Sequence, residues 1–314
     1  MSGPYDLFVV GRPSVDVMFS GLPEWPTLGK DIEVGGLGVC AGTSFNTPAA
    51  ANRLGLRVAY VATVGNDDLS RLILREFASE GLPTDLVEIE DRPLPALSVA
   101  LNSDGDRGFV TYWGDGDAYD SRLDARALKL AAQVEARHAH LYVDSAPELE
   151  VLAKRRGMTL SLDTFDGSSF TTTRPLEEVL ANADVLFANE AEALAMAGTD
   201  DLGRVLEHLA ELCSTVVIKR GAAGATGIRD GTVVEVPTEP VDAVDTTGAG
   251  DCFNAGFLAG WLDGLDLRDA LTLGVLCGSR AVADYGGYRG CPREAEFRTL
   301  AASRGITLRQ RGAT

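Results

Sequence analysis

DTTGAGDCFNAGFLAGWLDG, residues 245–264, is the most informative stretch of the chain. Phe253, Phe257, Leu258, Trp261 and Leu262 recur at the spacing of a buried helix, and Gly264 can terminate the run. The pattern predicts a helix that begins near Gly248 and carries Gly248, Ala249 and Gly250 at its N-terminus. Backbone N–H groups at such an end have no partner within the helix, the helix dipole is positive there, and small side chains let an anion approach closely. Asp251 falls in the first turn, beside that anion site, where a carboxylate can take a proton from an attacking hydroxyl. Residues alone leave a second reading open, in which Asp251 only stabilises the helix end and the glycines only make a turn.

Working outward, short β-branched runs recur at 6–10, 57–63, 140–144, 159–163, 184–189 and 215–219, most of them separated by helical segments such as 68–80, 124–137 and 201–213. This alternation predicts an α/β chain with a mostly parallel sheet covered by helices on both faces. Residues 13–36, broken by Pro13, Pro23 and Pro26, and residues 96–118, two strands around the turn SDGD, depart from it and predict a small antiparallel β flap over one edge of the sheet. The whole, 1–314, reads as a single unit with that flap appended.

The segment 245–251 resembles the signature D-T-x-G-A-G-D of the ribokinase-like (PfkB) family of carbohydrate kinases, including a downstream Gly-Phe pair at Gly256-Phe257. That resemblance covers almost the whole chain. It implies a ribokinase-like fold and an ATP-dependent phosphotransferase in which Asp251 activates the acceptor hydroxyl while Gly248, Ala249 and Gly250 form the anion hole. Asp16, in GRPSVD after the first strand, matches a substrate-binding aspartate of the family, and Asn46 matches its substrate-contacting Asn. Gly42 belongs to the same glycine-rich stretch, which has Ala41-Gly42 where the family commonly carries Gly-Gly. Thr47 and Pro48 suit the N-cap and first position of the next helix. Asp144, at another strand end, is a further substrate-side candidate.

Asn189 and Glu192 resemble the family's N-x-x-E motif, which organises Mg²⁺ and its water shell; the alternative is that both simply begin a helix. Lys219, Gly221 and Gly224 resemble a strand-glycine turn near the nucleotide, with a plain hairpin turn as the competing reading. The block 61–82 resembles a structural element of the family, and 271–287 its closing helix and turn, without the Asn often found there, so no adenine contact is assigned. His138 and His140 lack a third ligand and are read as packing or surface residues; Asp163 and Asp166 receive no role.

A net charge of −18 without a local basic patch sets nucleic acid aside as a partner. The five cysteines form no CxxC pair, and no apolar run reaches the roughly 18 residues of a membrane span, so a reducing, cytoplasmic setting is expected. The resemblance implies ATP and Mg²⁺ and leaves a monovalent cation open. The acceptor is expected to be a small sugar. The alternatives are a nucleoside, with Phe45, Tyr112 and Trp113 stacking on the base unless they pack the flap, or a catalytically silent sugar or nucleotide sensor. An exposed flap edge also permits pairing with a second copy.

Overall fold

In the computed structural model, which describes residues 4–103, 106–164 and 174–310, the first strand, β1 (Tyr5–Val10), sends Leu7 and Val9 into one buried cluster and Phe8 and Val10 into another. The period of two means that both faces of this strand are covered. The later strands are β2 (Pro13–Ser20), β3 (Gly36–Thr43), β4 (Val58–Val64), β5 (Val87–Ile89), β6 (Leu97–Ser103) and β7 (Asp106–Tyr112). They are followed by β8 (Ala136–Tyr142), β9 (Thr159–Asp163), β10 (Val185–Asn189), β11 (Thr215–Lys219), β12 (Ala225–Arg229) and β13 (Thr232–Val236). Helices α1 (Asn46–Arg53), α2 (Asp68–Glu80), α3 (Asp117–Ala131), α4 (Pro147–Arg155) and α5 (Leu176–Leu180) precede α6 (Glu190–Ala197), α7 (Leu202–Leu212), α8 (Ala249–Asp263), α9 (Leu267–Ala281) and α10 (Glu294–Ser303).

The main sheet has the order β13-β12-β11-β10-β9-β8-β1-β4-β5, parallel from β11 to β5 and antiparallel across β11, β12 and β13. Residues of α1, α2, α8, α9 and α10 build the core on one face, and those of α3 to α7 the core on the other. This is the α/β architecture the alternation predicts. The helix ends follow local chemistry: Asp67 accepts from the Ser70 N–H at 3.0 Å to start α2, and Gly81, at φ 65°, closes it in the left-handed region.

Two stretches differ from the sequence expectation. The strand expected at 140–144 begins at Ala136, and α3 ends at Ala131 rather than 137. His138 and His140 disguised the strand as polar, yet both are fully buried. Thr159 Oγ1 lies 2.7 Å from His138 Nδ1, while Ser161 Oγ lies 2.8 Å from both His138 Nε2 and His140 Nδ1. The packing reading of this pair holds.

The second sheet, ordered β3-β2-β6-β7, pairs β2 with β3 and β6 with β7 antiparallel but β2 with β6 parallel. Its first segment therefore runs to Thr43, past residue 36. The expected turn at 103–106 includes residues 104 and 105, which lie outside the described residues. The glycines of β3 obscure the strand beyond residue 36, but each has a steric reason. A Cβ on Gly36 would come 2.7 Å from the Tyr285 hydroxyl, and one on Gly38 2.6 Å from Met18 Cε.

Register assigns the faces of this sheet. Cys40, Asp16, Ser98 and Thr111 form one cross-strand row, and Gly38, Met18, Ala100 and Phe109 the next row of the same face. Val39, Val17, Val99 and Val110 lie on the opposite face. Ser20 Oγ lies 2.8 Å from the Tyr285 hydroxyl, tying β2 to the loop after α9.

That loop is anchored in turn by Arg53 of α1. Its guanidinium donates to both oxygens of Glu80 at 2.9 and 3.0 Å, to the Cys291 carbonyl at 2.9 Å and to the Arg289 carbonyl at 2.8 Å. Both charged side chains are nearly buried, so losing one partner of such a pair costs about 3–5 kcal/mol. Among the described residues no helix is long and apolar enough to cross a membrane.

Candidate active site

Helix α8 begins where the sequence places it. Gly248 is its N-cap at φ 68°, and Asp251 lies in its first turn. A side chain at 248 is excluded, because its Cβ would lie 2.3 Å from the Gly287 carbonyl oxygen. Gly287 faces Asn46 on its other side: its own Cβ would lie 2.3 Å from Asn46 Oδ1. One backbone segment is thus packed between the N-cap of α8 and the Asn46 side chain. Asp245, the first residue of the motif, holds this arrangement by accepting from the Thr247 N–H at 3.0 Å and the Gly286 N–H at 3.4 Å.

Thr47 Oγ1 donates to Asp251 Oδ1 at 2.8 Å, and Asn46 Nδ2 donates to Oδ2 at 3.3 Å. The sequence expectation for Thr47 is corrected here. Helix α1 starts at Asn46 behind Phe45, which makes no side-chain cap, and the Thr47 hydroxyl serves Asp251 instead. Asp251 keeps some access to the cleft, but loss of water around it, reinforced by the charge of Asp163, pushes its carboxyl up to about 6; Thr47, Lys219 and Asn46 act in the opposite direction.

Lys219, at the end of β11, donates to Asp163 Oδ1 at 2.9 Å, and Asn254 Nδ2 donates to Asp163 Oδ2 at 2.6 Å. The ammonium also lies against the first turn of α8, since a Cβ on Gly250 would sit 3.3 Å from it. Sequence reasoning gave Asp163 no role and missed Asn254. The available signals were the strand end and the three-residue spacing from Asp251, which puts Asn254 on a neighbouring helical position. Asp166 lies outside the described residues.

Asp16 sits inside β2 and not in a solvated loop: it is buried and accepts from Ser14 Oγ at 2.7 Å. Burial drives its carboxyl up to about 6, opposed chiefly by the Ser14 bond. A Cβ on Gly42 would lie 1.8 Å from Asp16 Oδ2, so the glycine leaves the room that this carboxylate occupies. Asp144 is exposed in the turn after β8, where its charge is felt by Asp124 of α3. No described contact joins it to Asp16 or Asn46.

Asn189 and Glu192 form a reciprocal cap on α6: Asn189 Oδ1 accepts from the Glu192 N–H at 2.9 Å and Glu192 Oε2 from the Asn189 N–H at 2.7 Å. The Thr164 hydroxyl also donates to Glu192. Among the described residues no group of three or more His, Cys, Asp and Glu side chains is arranged to hold a metal ion. The donors fit a cation that arrives on phosphates with its own waters, and not one caged by protein. Gly221 opens a single 3₁₀ turn that joins β11 to β12, and Gly224, at φ 87°, closes it where a Cβ would lie 2.1 Å from the Val236 carbonyl oxygen. The hairpin geometry is thus present at the turn carrying Lys219.

The aromatic side chains considered for base stacking are elsewhere. Phe45 is fully buried and packs edge-on to Tyr60, Phe77 and Tyr288. Tyr112 pairs with Leu97 on the sheet face opposite Asp16, and Trp113 lies beside the Arg12 guanidinium, 5.3 Å from its ring centroid.

The N-terminus of α8, with Asp251 in its first turn and the Lys219 ammonium alongside, is the candidate active site. Residues 39–294 match the model of the pfkB family carbohydrate kinases, and the chain belongs to that family. An ATP-dependent ribose-1-phosphate kinase of Halopiger xanaduensis is 32% identical over 80% of this chain and 82% of its own length. Among solved structures, a Burkholderia thailandensis nucleoside kinase in complex with inosine has a TM-score of 0.80 at 18% identity, covering 96% of this chain and 98% of its own. Arabidopsis thaliana ribokinase complexed with ribose and ATP has a TM-score of 0.76 at 21% identity, covering 95% and 99%. The structural likenesses carry the ribokinase fold.

The crowding at Gly42 makes a prediction. Gly42→Ala must displace the Asp16 carboxylate, so the KM for the acceptor should rise about 10-fold or more while the KM for ATP stays within about twofold. Steady-state kinetics with each substrate varied separately check this, and equal changes in both constants would count against Asp16 as an acceptor ligand.

Proposed function

We propose that this kinase transfers the γ-phosphate of ATP to a hydroxyl of a small sugar. The observation that carries the reading is the Asp251 carboxylate, set in the first turn of α8 beside the Lys219 ammonium and held by Thr47 and Asn46. Asp16, Gly42 and Asn46 bind the acceptor, with Asp144 at the outer margin. Asp251 takes the proton of the attacking hydroxyl as its oxygen bonds to phosphorus and ADP leaves. The N–H groups at Gly248, Ala249 and Gly250 bind the transferring phosphoryl group, and Lys219, Gly221 and Gly224 line the nucleotide side. Magnesium, when bound, would neutralise phosphate oxygens, with Asn189 and Glu192 reaching it through water. A monovalent cation remains part of the proposal without assigned ligands.

The second sheet is proposed to act as a lid that keeps water from the transfer. Its Asp16 face also carries Phe109, 52% exposed, one cross-strand row away from Asp16. An aromatic ring there suits an acceptor with a flat apolar part, which keeps a nucleoside as the second reading. The opposite face exposes Leu37, Val110 and Tyr112 at 61, 66 and 60%. We assign a second copy of the chain to that face, since an apolar patch on an exposed sheet favours association. The five buried, unpaired thiols support a reducing compartment, and hence the cytoplasm.

The reading is tested by ADP release from ATP over panels of sugars, sugar acids and nucleosides, with Asp251→Asn as the control. The variant should turn over roughly 10²–10⁴-fold more slowly while still binding ATP. Near-normal turnover by the folded variant removes Asp251 as the base; turnover of nucleosides alone promotes the second reading, and turnover of nothing the sensor.

Glu192→Gln should raise the magnesium concentration needed for half-maximal rate and leave acceptor affinity nearly unchanged. A collapse of acceptor affinity at an unchanged magnesium requirement would place Glu192 on the wrong ligand. For the second copy, sedimentation velocity should show Val110→Lys as a monomer where the wild type is a dimer, and two identical profiles would discard the interface.

A further inference from the structure

Thr47 was expected to cap a helix, and its hydroxyl is found on the proposed base. The side chain is fully buried and donates to Asp251 Oδ1 at 2.8 Å, an ordinary hydrogen-bond length for a hydroxyl. The amide of Asn46 reaches the other oxygen, Oδ2, at the longer 3.3 Å. The two oxygens of one carboxylate are therefore held unequally. We propose that Thr47 is a positioning residue for phosphoryl transfer: its hydroxyl fixes the rotation of the Asp251 carboxylate so that Oδ2 faces the acceptor and takes its proton. The inference rests on the reading of Asp251 as the base.

Rotation about the bond to the carboxyl group is soft and roughly two-fold, so a carboxylate without an anchor samples orientations in which neither oxygen points at the substrate. A buried hydroxyl on α1 removes that freedom, because α1 is itself fixed by Arg53 to Glu80 and to the loop carbonyls of Arg289 and Cys291. The weaker Asn46 contact can be exchanged for the acceptor hydroxyl without releasing the carboxylate.

The Thr47 bond also favours the ionised form of Asp251. Among the described residues, the charged and titratable groups that share its surroundings are Asp163 at the end of β9, Lys219 at the end of β11, Tyr60 of β4, Tyr142 of β8 and the adjacent Cys252. Lys219 and Asn46 remain in place when Thr47 is removed, but burial and Asp163 are then less opposed. Proton affinity must rise, and the base becomes available only at higher pH.

The experiment is the pH profile of kcat and of kcat/KM for the acceptor, for the wild type, Thr47→Val and Thr47→Ser. Thr47→Val keeps the volume and loses the donor. It should lower kcat at neutral pH by roughly 10-fold and move the acid limb of kcat/KM, expected near pH 6 in the wild type, up by about one unit. Thr47→Ser should restore both, and the KM for ATP should hold throughout. Thr47→Ala, which cannot overfill the site, takes the place of the valine variant if that variant misfolds. A wild-type limb and kcat in the variant lacking the hydroxyl overturn the proposal. So does an equal loss in Thr47→Ser, which would mark the methyl group as the important part. A wild-type enzyme whose turnover survives Asp251→Asn would instead remove the base reading on which the proposal stands.

Discussion

The dehydration of Asp251 is the constraint on which the site depends. A carboxylate with little water around it resists ionisation, and Asp163 nearby adds a second negative charge. The fold answers with two donors from α1, Thr47 and Asn46, and with the positive charge of Lys219 at the end of β11. Lys219 is itself committed to Asp163, so the two carboxylates share one ammonium. Asn254, from the same helix as Asp251, binds the other Asp163 oxygen. Movement of any one of these elements alters the proton affinity at the centre, which explains why α1, α8 and the ends of β9 and β11 converge here.

Much of this was legible in the sequence because it rests on local patterns. The small residues before an apolar helical run placed the α8 N-terminus at Gly248, where it is found. The β-branched runs gave the parallel sheet because strands covered on both faces need apolar residues at every position. What escaped was non-local. His138 and His140 hid half of β8, since their partners Thr159 and Ser161 are some twenty residues away on β9. The flap segment was expected to stop at residue 36, short of the end of β3, because the glycines of that strand answer to Tyr285, Met18 and Asp16, none of them adjacent in sequence.

Thr47 illustrates the same limit at the level of one side chain. A threonine followed by proline at the start of a helix is a sound local signal for a cap. The tertiary structure overrides it by bringing a carboxylate from residue 251 within 2.8 Å, where a hydrogen bond to a charged group outweighs one to a backbone amide. Asp16 followed the opposite course. The strand that surrounds and buries it was not visible in a segment broken by proline.

Gly287 carries a consequence for how such a kinase diversifies. Its backbone touches Gly248 on one side and the Asn46 side chain on the other, so one peptide chain is packed between the N-cap of α8 and that amide. Asp16, Met18, Ala100 and Phe109, by contrast, stand on a separate sheet that can be rewritten residue by residue. Under the proposed function, the backbone beside the reacting groups and the wall that meets the guest belong to separate parts of the fold, an arrangement under which kinship between sugar and nucleoside kinases needs no change in the chemistry.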